Sequence, residues 1–208
     1  YKLRSKIKLE DLSNDYVIGI ISAKKFEEIQ SENKKPTNTI LYRESPLFID
    51  PRNKKMGARI ISKLEKLHLT IKKLNLRIMK PNIYFAKAHS LGIPVKGVEN
   101  LKEQLFGLEA NFEDLKAIDF KKGCYIGQEN TARMKLKNKL RRRLLPIKTF
   151  GEVAIGDDLN FGKSKVGKIL INKPYPFALV KLFDPDFLDF KDKELLSGNV
   201  RINIINNY

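Results

Sequence analysis

The chain has no tryptophan, one cysteine and two histidines among its 208 residues. A lone cysteine excludes an intramolecular disulfide, and the widely separated His68 and His89 offer no zinc-type spacing, so no metal cage is encoded. One thiolate also falls short of the cysteine set that an iron–sulfur cluster takes, unless a partner or a second subunit supplies the rest. The longest apolar run, Tyr16 to Ile21, is far too short to cross a bilayer, and no signal peptide opens the chain. These absences give the expectation of a soluble, cytoplasmic protein with no membrane partner. Repeats, phosphate loops, dinucleotide fingerprints and hydrolase elbows are missing too. Acid is scarce: 24 acidic residues face 41 basic ones, a formal charge of +17. Such an excess points to nucleic acid, an anionic ligand or an acidic protein. Lysine, asparagine and isoleucine abound everywhere, however, and an A·T-rich coding bias leaves the same excess on solvated faces.

What is present reads as two domains, an α+β part over residues 1–138 and a small β-barrel-like part over 139–208. Tyr1 to Glu10 alternates apolar and basic, the period of a strand with one wet face. Tyr16 to Ile21 predicts a short buried strand, Ala23 to Gln30 two helical turns, and Thr39–Tyr42 and Leu47–Ile49 strands split by Pro46. Asp50-Pro51-Arg52 is turn chemistry. Ile60, Ile61, Leu64, Leu67, Ile71 and Leu74 recur at helical spacing, with a strand over Ala58–Ser62 as the alternative. Ile83 to Ser90 predicts a helix stopped by Leu91-Gly92-Ile93-Pro94. Asn100 is placed to cap a short helix from Leu101 to Phe106, ended by Gly107. From Gly151 onward short apolar runs alternate with Gly, Asp and Pro turns, the pattern of a small barrel.

Lys121-Lys122-Gly123-Cys124-Tyr125-Ile126-Gly127-Gln128-Glu129 holds the single cysteine between two glycines. If Tyr125 to Lys135 continues as a helix, Cys124 sits at its start. Helix N–H groups and two lysines there favour thiolate over thiol. A small buried cysteine is the bland alternative. Downstream, no acid occurs from Asn130 through Lys148, while Arg133, Lys135, Arg141, Arg142 and Arg143 do. This basic stretch predicts either a solvated face or a surface with weak, sequence-independent affinity for RNA; it lacks the interleaved aromatics of a stacking platform.

Lys122 to Glu129, KGCYIGQE, resembles the signature of the YgfZ family of GcvT-like folate-binding proteins. Phe106 to Asn111, Ile118-Asp119-Phe120, Thr131-Ala132-Arg133, Asp50-Pro51-Arg52 with Gly57 and Arg59, and Leu91 to Pro94 fit the same family in order. The resemblance implies a GcvT-like (aminomethyltransferase-like) folate-binding α+β domain, incomplete at its N-terminus, followed by the β-barrel-like domain. It implies tetrahydrofolate or a one-carbon-substituted derivative as cofactor. It also implies a role in iron–sulfur cluster assembly or repair, with iron–sulfur enzymes, tRNA-modifying ones among them, or assembly proteins as partners. Cys124 becomes the functional thiol, with Lys122, Gln128 and Glu129 shaping its loop. Glu109 and Asn111, placed on one face of an extended segment, become the folate-side acceptor and donor. Arg52, Arg59 and Tyr125 join them, the two arginines more readily as pocket supports than as direct contacts. Ala88 and Val95 stand where the family commonly has an arginine and an acid, and Gly107 where it often has proline. An aminomethyltransferase of glycine-cleavage type and a basic RNA-binding module remain the rivals, the cysteine motif speaking against the former.

Overall fold

Strands that are apolar on alternate residues, joined through two short helices, build the first of two units. The computed structural model describes residues 6–31, 37–136 and 140–205, and the chain divides into Tyr1–Met79 and Lys80–Tyr208. In the first unit, β1 (Val17–Ile21), α1 (Ala23–Ser31), β2 (Thr39–Tyr42), β3 (Ser45–Ile49), β4 (Ala58–Ser62) and α2 (Leu64–Lys73) follow in order. The sheet is antiparallel, ordered β1-β4-β3-β2. Phe26 and Ile29 of α1, with Leu67 of α2, pack on Leu47, Ala58 and Ile60 from one side of it.

Several expectations change here. Lys6 to Glu10 form no strand and are exposed, since no neighbouring strand among the described residues pairs with them; residues 1–5 lie outside the description. β1 is an edge strand, not a buried one: Ile18 is 60% exposed. Pro46 does not split a strand. The break comes at Arg43-Glu44, both at positive φ as a tight hairpin turn demands, and Pro46 lies within β3 at a position not paired with β4, where its missing N–H costs no ladder bond. The ambiguity after Ala58 resolves into both elements, strand then helix. Gly57, at φ 88°, lets this crossing form, because a Cβ there would stand 2.1 Å from the Ile21 carbonyl oxygen.

The second unit opens with α3 (Pro81–Ser90), its proline in the first turn and its end closed by Gly92 at φ 70° with the Ile93 N–H donating to Ala88 O at 2.9 Å. The helix expected over 101–106 is replaced by a 3-10 turn, Val98–Leu101. After α4 (Glu129–Leu136) come β5 (Arg142–Thr149), β6 (Asp158–Phe161), β7 (Ser164–Ile171), β8 (Phe177–Lys181), α5 (Phe187–Phe190), β9 (Leu195–Ser197) and β10 (Val200–Ile204). The strands close a barrel in the order β10-β5-β8-β7-β6-β9, filled by Ile147, Leu159, Ile169, Val180, Phe190 and Ile202. The expected barrel is thus present, six-stranded. Pro146 sits within β5 where the strand passes from pairing with β8 to pairing with β10. The division expected at 138/139 does not coincide with the two units: the segment before the barrel is bonded into β5 and belongs with it. No helix among the described residues is long and apolar enough to cross a membrane.

Candidate functional site

Cys124 is exposed, on a stretch without regular structure that runs from Gly123 to Tyr125. The expected helix start at Tyr125 is corrected to Glu129. Gly127, at φ 87°, holds a left-handed conformation that no helix continues through, and only after it does the Gln128 carbonyl accept the first helical bond, from Ala132 N–H at 2.8 Å. The thiol therefore lies outside the helix, and the argument from helix N–H groups does not reach it. Gly123 has open space around it. Lys122 Nζ sits 4.9 Å from the Tyr125 ring centroid, a cation–π contact. Ile126 is 93% exposed. Glu129 stands in the first turn of α4, where a carboxylate complements the helix dipole.

The loop is clasped at its base. Lys135 of α4 forms an ion pair with Glu113 and lies 5.2 Å from the Phe120 ring centroid, so the chain leaves at Glu113 and returns at Lys135. The Glu113 side is in turn fastened to the barrel. Glu109 is buried and takes Arg142 on both oxygens, Nε at 2.8 Å and an NH2 at 3.2 Å, with the Phe106 N–H at 2.9 Å. Its own carbonyl accepts the Leu144 N–H. Asn111, 1% exposed, donates to the Leu144 carbonyl at 2.7 Å and accepts from Arg143 Nε at 2.7 Å, while Arg143 also pairs with Asp114. These residues are not extended: Asn111 stands in a series of turns at φ 62°. Leu108, Glu113, Asp114, Met134, Lys135 and Arg143 surround a small cleft of about 110 Å³ beside the clasp.

This arrangement redistributes the basic stretch. Arg142 and Arg143 serve Glu109, Asn111 and Asp114, so the part of the run that enters β5 is internal wiring as much as a surface for phosphates. The sequence singled out Glu109 and Asn111, but the partners that claim them were read only as charge. Arginines meeting acids and amides about thirty positions upstream leave no local signal.

Arg52 and Arg59, in the first unit, converge on Asp50. That carboxylate, 1% exposed, receives Arg52 Nε at 3.0 Å, an Arg52 NH2 at 2.8 Å, the Arg52 N–H at 3.0 Å and Arg59 Nε at 3.1 Å. Burial pushes its pKa up, but the Arg52 hydrogen bonds and the charges of both arginines prevail and hold it below the ordinary 3.8. In the second unit, His89 of α3 donates from Nε2 to the Pro176 carbonyl oxygen at 2.8 Å and meets the Phe177 ring edge-on. Burial lowers its pKa below 6.5 against the opposing effect of that bond. Both folded-state values lie below the unfolded ones, so both groups give stability that is present at neutral pH and lost on acidification. The second unit is expected to weaken first as pH falls below 6.5, and the Asp50 contribution to the first unit to go only below 3.8. Urea melts followed by circular dichroism across pH 3 to 7.5 check this, and His89→Phe should flatten the upper step.

Of the residues expected at a folate site, Arg52 and Arg59 thus meet at Asp50, Glu109 and Asn111 meet at β5, and Tyr125 lies apart from both on the exposed loop that carries the thiol of Cys124. Among the described residues, no cluster of His, Cys, Asp and Glu is arranged to hold a metal ion.

Over 152 residues the chain is 30% identical to the mitochondrial iron–sulfur cluster assembly factor IBA57 homolog of Dictyostelium discoideum, covering 71% of this chain and 36% of that protein. It is 29% identical over 160 residues to the homolog of Mycosarcoma maydis, covering 71% and 33%, and 30% identical over 152 residues to IBA57 of Mus musculus, covering 73% and 40%. The chain spans roughly a third to two-fifths of the length of these curated relatives. No protein-family model matches it. All three relatives are named as mitochondrial, which overturns the cytoplasmic placement expected from the sequence.

Proposed function

We propose that this chain serves as an accessory factor in iron–sulfur cluster assembly, working in the mitochondrion through the thiol of Cys124. The observation that carries the reading is geometric: the motif cysteine is exposed on a loop whose two ends are pinned by Glu113 and Lys135 and whose near side is fastened to a closed barrel. Loops carried on a packed scaffold are where proteins present reactive groups to partners. The names of the relatives and the KGCYIGQE motif support the same role. Iron–sulfur enzymes or assembly proteins are then the partners, and a thiol in this position is accessible to them without any unfolding.

Reduced folate is the cofactor the motif resemblance implies. The residues named for it do not fit it as they stand: the Glu109 and Asn111 polar atoms are bonded into β5, and Arg52 and Arg59 into Asp50. The cleft at the loop base, about 110 Å³, is also well below the roughly 300 Å³ at which small-molecule sites begin. Calorimetric titration of this chain with tetrahydrofolate is expected to give a Kd weaker than about 100 μM. A Kd near 1 μM would mean that other residues form the site.

A further inference from the structure

No acid occurs from Lys66 through Val98, and all 24 acidic residues of the chain lie outside that stretch. In the acid-free run that enters β5, much of the charge is spent inside the fold: Lys135, Arg142 and Arg143 pair with Glu113, Glu109 and Asp114. Here Lys66 pairs with Glu44, but Lys72, Lys73, Arg77 and Lys80 are exposed and have no acid in their own stretch to meet. Lys72 and Lys73 close the last turn of α2, where cations suit the helix dipole. Asn75, at φ 48°, then turns the chain, and the Leu76 N–H donates back to the Ile71 carbonyl at 3.0 Å. Beyond it Arg77, Ile78, Met79 and Lys80 run without regular structure, all four exposed. Ile78 is 74% and Met79 63% exposed, two aliphatic side chains held in water between an arginine and a lysine. The dipole does not account for them.

We propose that the segment from Lys72 to Lys80 is a contact with an anionic phospholipid surface, Ile78 and Met79 entering the boundary between headgroups and acyl chains while the cations meet lipid phosphates. Short apolar runs exclude a helical span, but lying on a bilayer asks only for a few apolar side chains ringed by positive charge. Each Lys or Arg held near an anionic leaflet is worth about fivefold in partitioning. The kind of occupant follows from size and side-chain type. The segment has nine residues, against the roughly 20 to 30 per side of a stable protein interface, whereas a lipid surface demands no matching shape. No Phe, Tyr or Trp occurs from Lys63 through Lys80, so a nucleic acid would find phosphate partners there but no ring for its bases. The contact goes beyond the role proposed for Cys124 and makes no use of the thiol.

The test is cosedimentation of the 208-residue chain with phosphatidylcholine vesicles, plain or carrying roughly 30% cardiolipin, at about 0.15 M salt. Binding at least about tenfold tighter to the anionic vesicles is expected. A molecule of charge +17 gathers on any anionic surface, so the variants decide. Ile78→Ser with Met79→Ser should weaken binding at least about tenfold, and so should Arg77→Gln with Lys80→Gln. Lys163→Gln with Lys168→Gln, which removes the same charge from the exposed side of the barrel, should cost less than about threefold. The chain has no tryptophan, so Ile78→Trp supplies a single emitter. Its emission should shift to the blue on the anionic vesicles and be quenched by brominated lipid, while Phe183→Trp, at an exposed position in the second unit, should do neither. All the substituted side chains lie at the surface or half-buried on it, and circular dichroism should show the variants folded. Equal binding to plain and anionic vesicles overturns the proposal, as does a loss no greater for either segment pair than for the barrel pair. Emission from the Ile78→Trp chain that responds to single-stranded RNA and not to vesicles overturns it in favour of nucleic acid. Cys124 is untouched throughout, so these outcomes stand apart from the fate of the thiol assignment.

Discussion

Asn111→Ala is expected to destabilise the second unit by about 3 kcal/mol, seen as a fall in melting temperature of about 10 °C. Two bonds are lost together, to the Leu144 carbonyl and from Arg143 Nε, and the site is 1% exposed, so water does not replace them cheaply. Alanine also tolerates φ 62° less well than asparagine does, at a cost of about 1 kcal/mol. Asn111→Gly removes the backbone part of the penalty and should recover about that 1 kcal/mol, while Asn111→Asp keeps the acceptor for Arg143 and loses only the donor. Glu109→Gln should behave as a milder case, since it keeps an oxygen for Arg142 but not the charge. An Asn111→Ala protein that melts like the parent would show that the amide is not a structural tie, and would return it to the ligand side where its motif first placed it.

That reversal marks the limit of what the residues reveal. The carboxylate and amide were legible as an unusual pair, and the barrel as a run of short apolar segments between Gly, Asp and Pro turns. The helix stop at Gly92 was readable because it is written in consecutive residues. The link from Glu109 and Asn111 to β5 was not, because it joins positions about thirty apart through arginines that look like any other basic run. The helix after Cys124 was placed too early because apolar spacing and the absence of proline say nothing about φ at Gly127. β1 reads as a buried strand but lies at a sheet edge with Ile18 60% exposed, since an apolar run does not say how many neighbours the strand has. Pro46 reads as a break between strands, although a proline is tolerated wherever the ladder does not call on its nitrogen.

The other large effect concerns Cys124, and it is expected to be functional with no structural component. The side chain is exposed, so Cys124→Ala leaves no cavity and should change the melting temperature by less than about 2 °C. Alkylation by iodoacetamide should go to completion in the folded chain without denaturant, because access does not require opening. Lys135→Glu, which sets two acids against each other at the clasp, should leave the thiol accessible but impair its presentation, so that function falls part of the way. Gln128→Ala, by contrast, should be mild, since the contacts seen for Gln128 are made by its backbone.

The most direct measurement is complementation: mouse cells depleted of IBA57 and supplied with mitochondrially targeted versions of this chain, read by the activity of mitochondrial iron–sulfur enzymes. The parent chain is expected to restore activity, and Cys124→Ala, at equal protein level and unchanged melting temperature, to restore none. Full restoration by Cys124→Ala would contradict the account, because the thiol on the clasped loop would then have no part in the function.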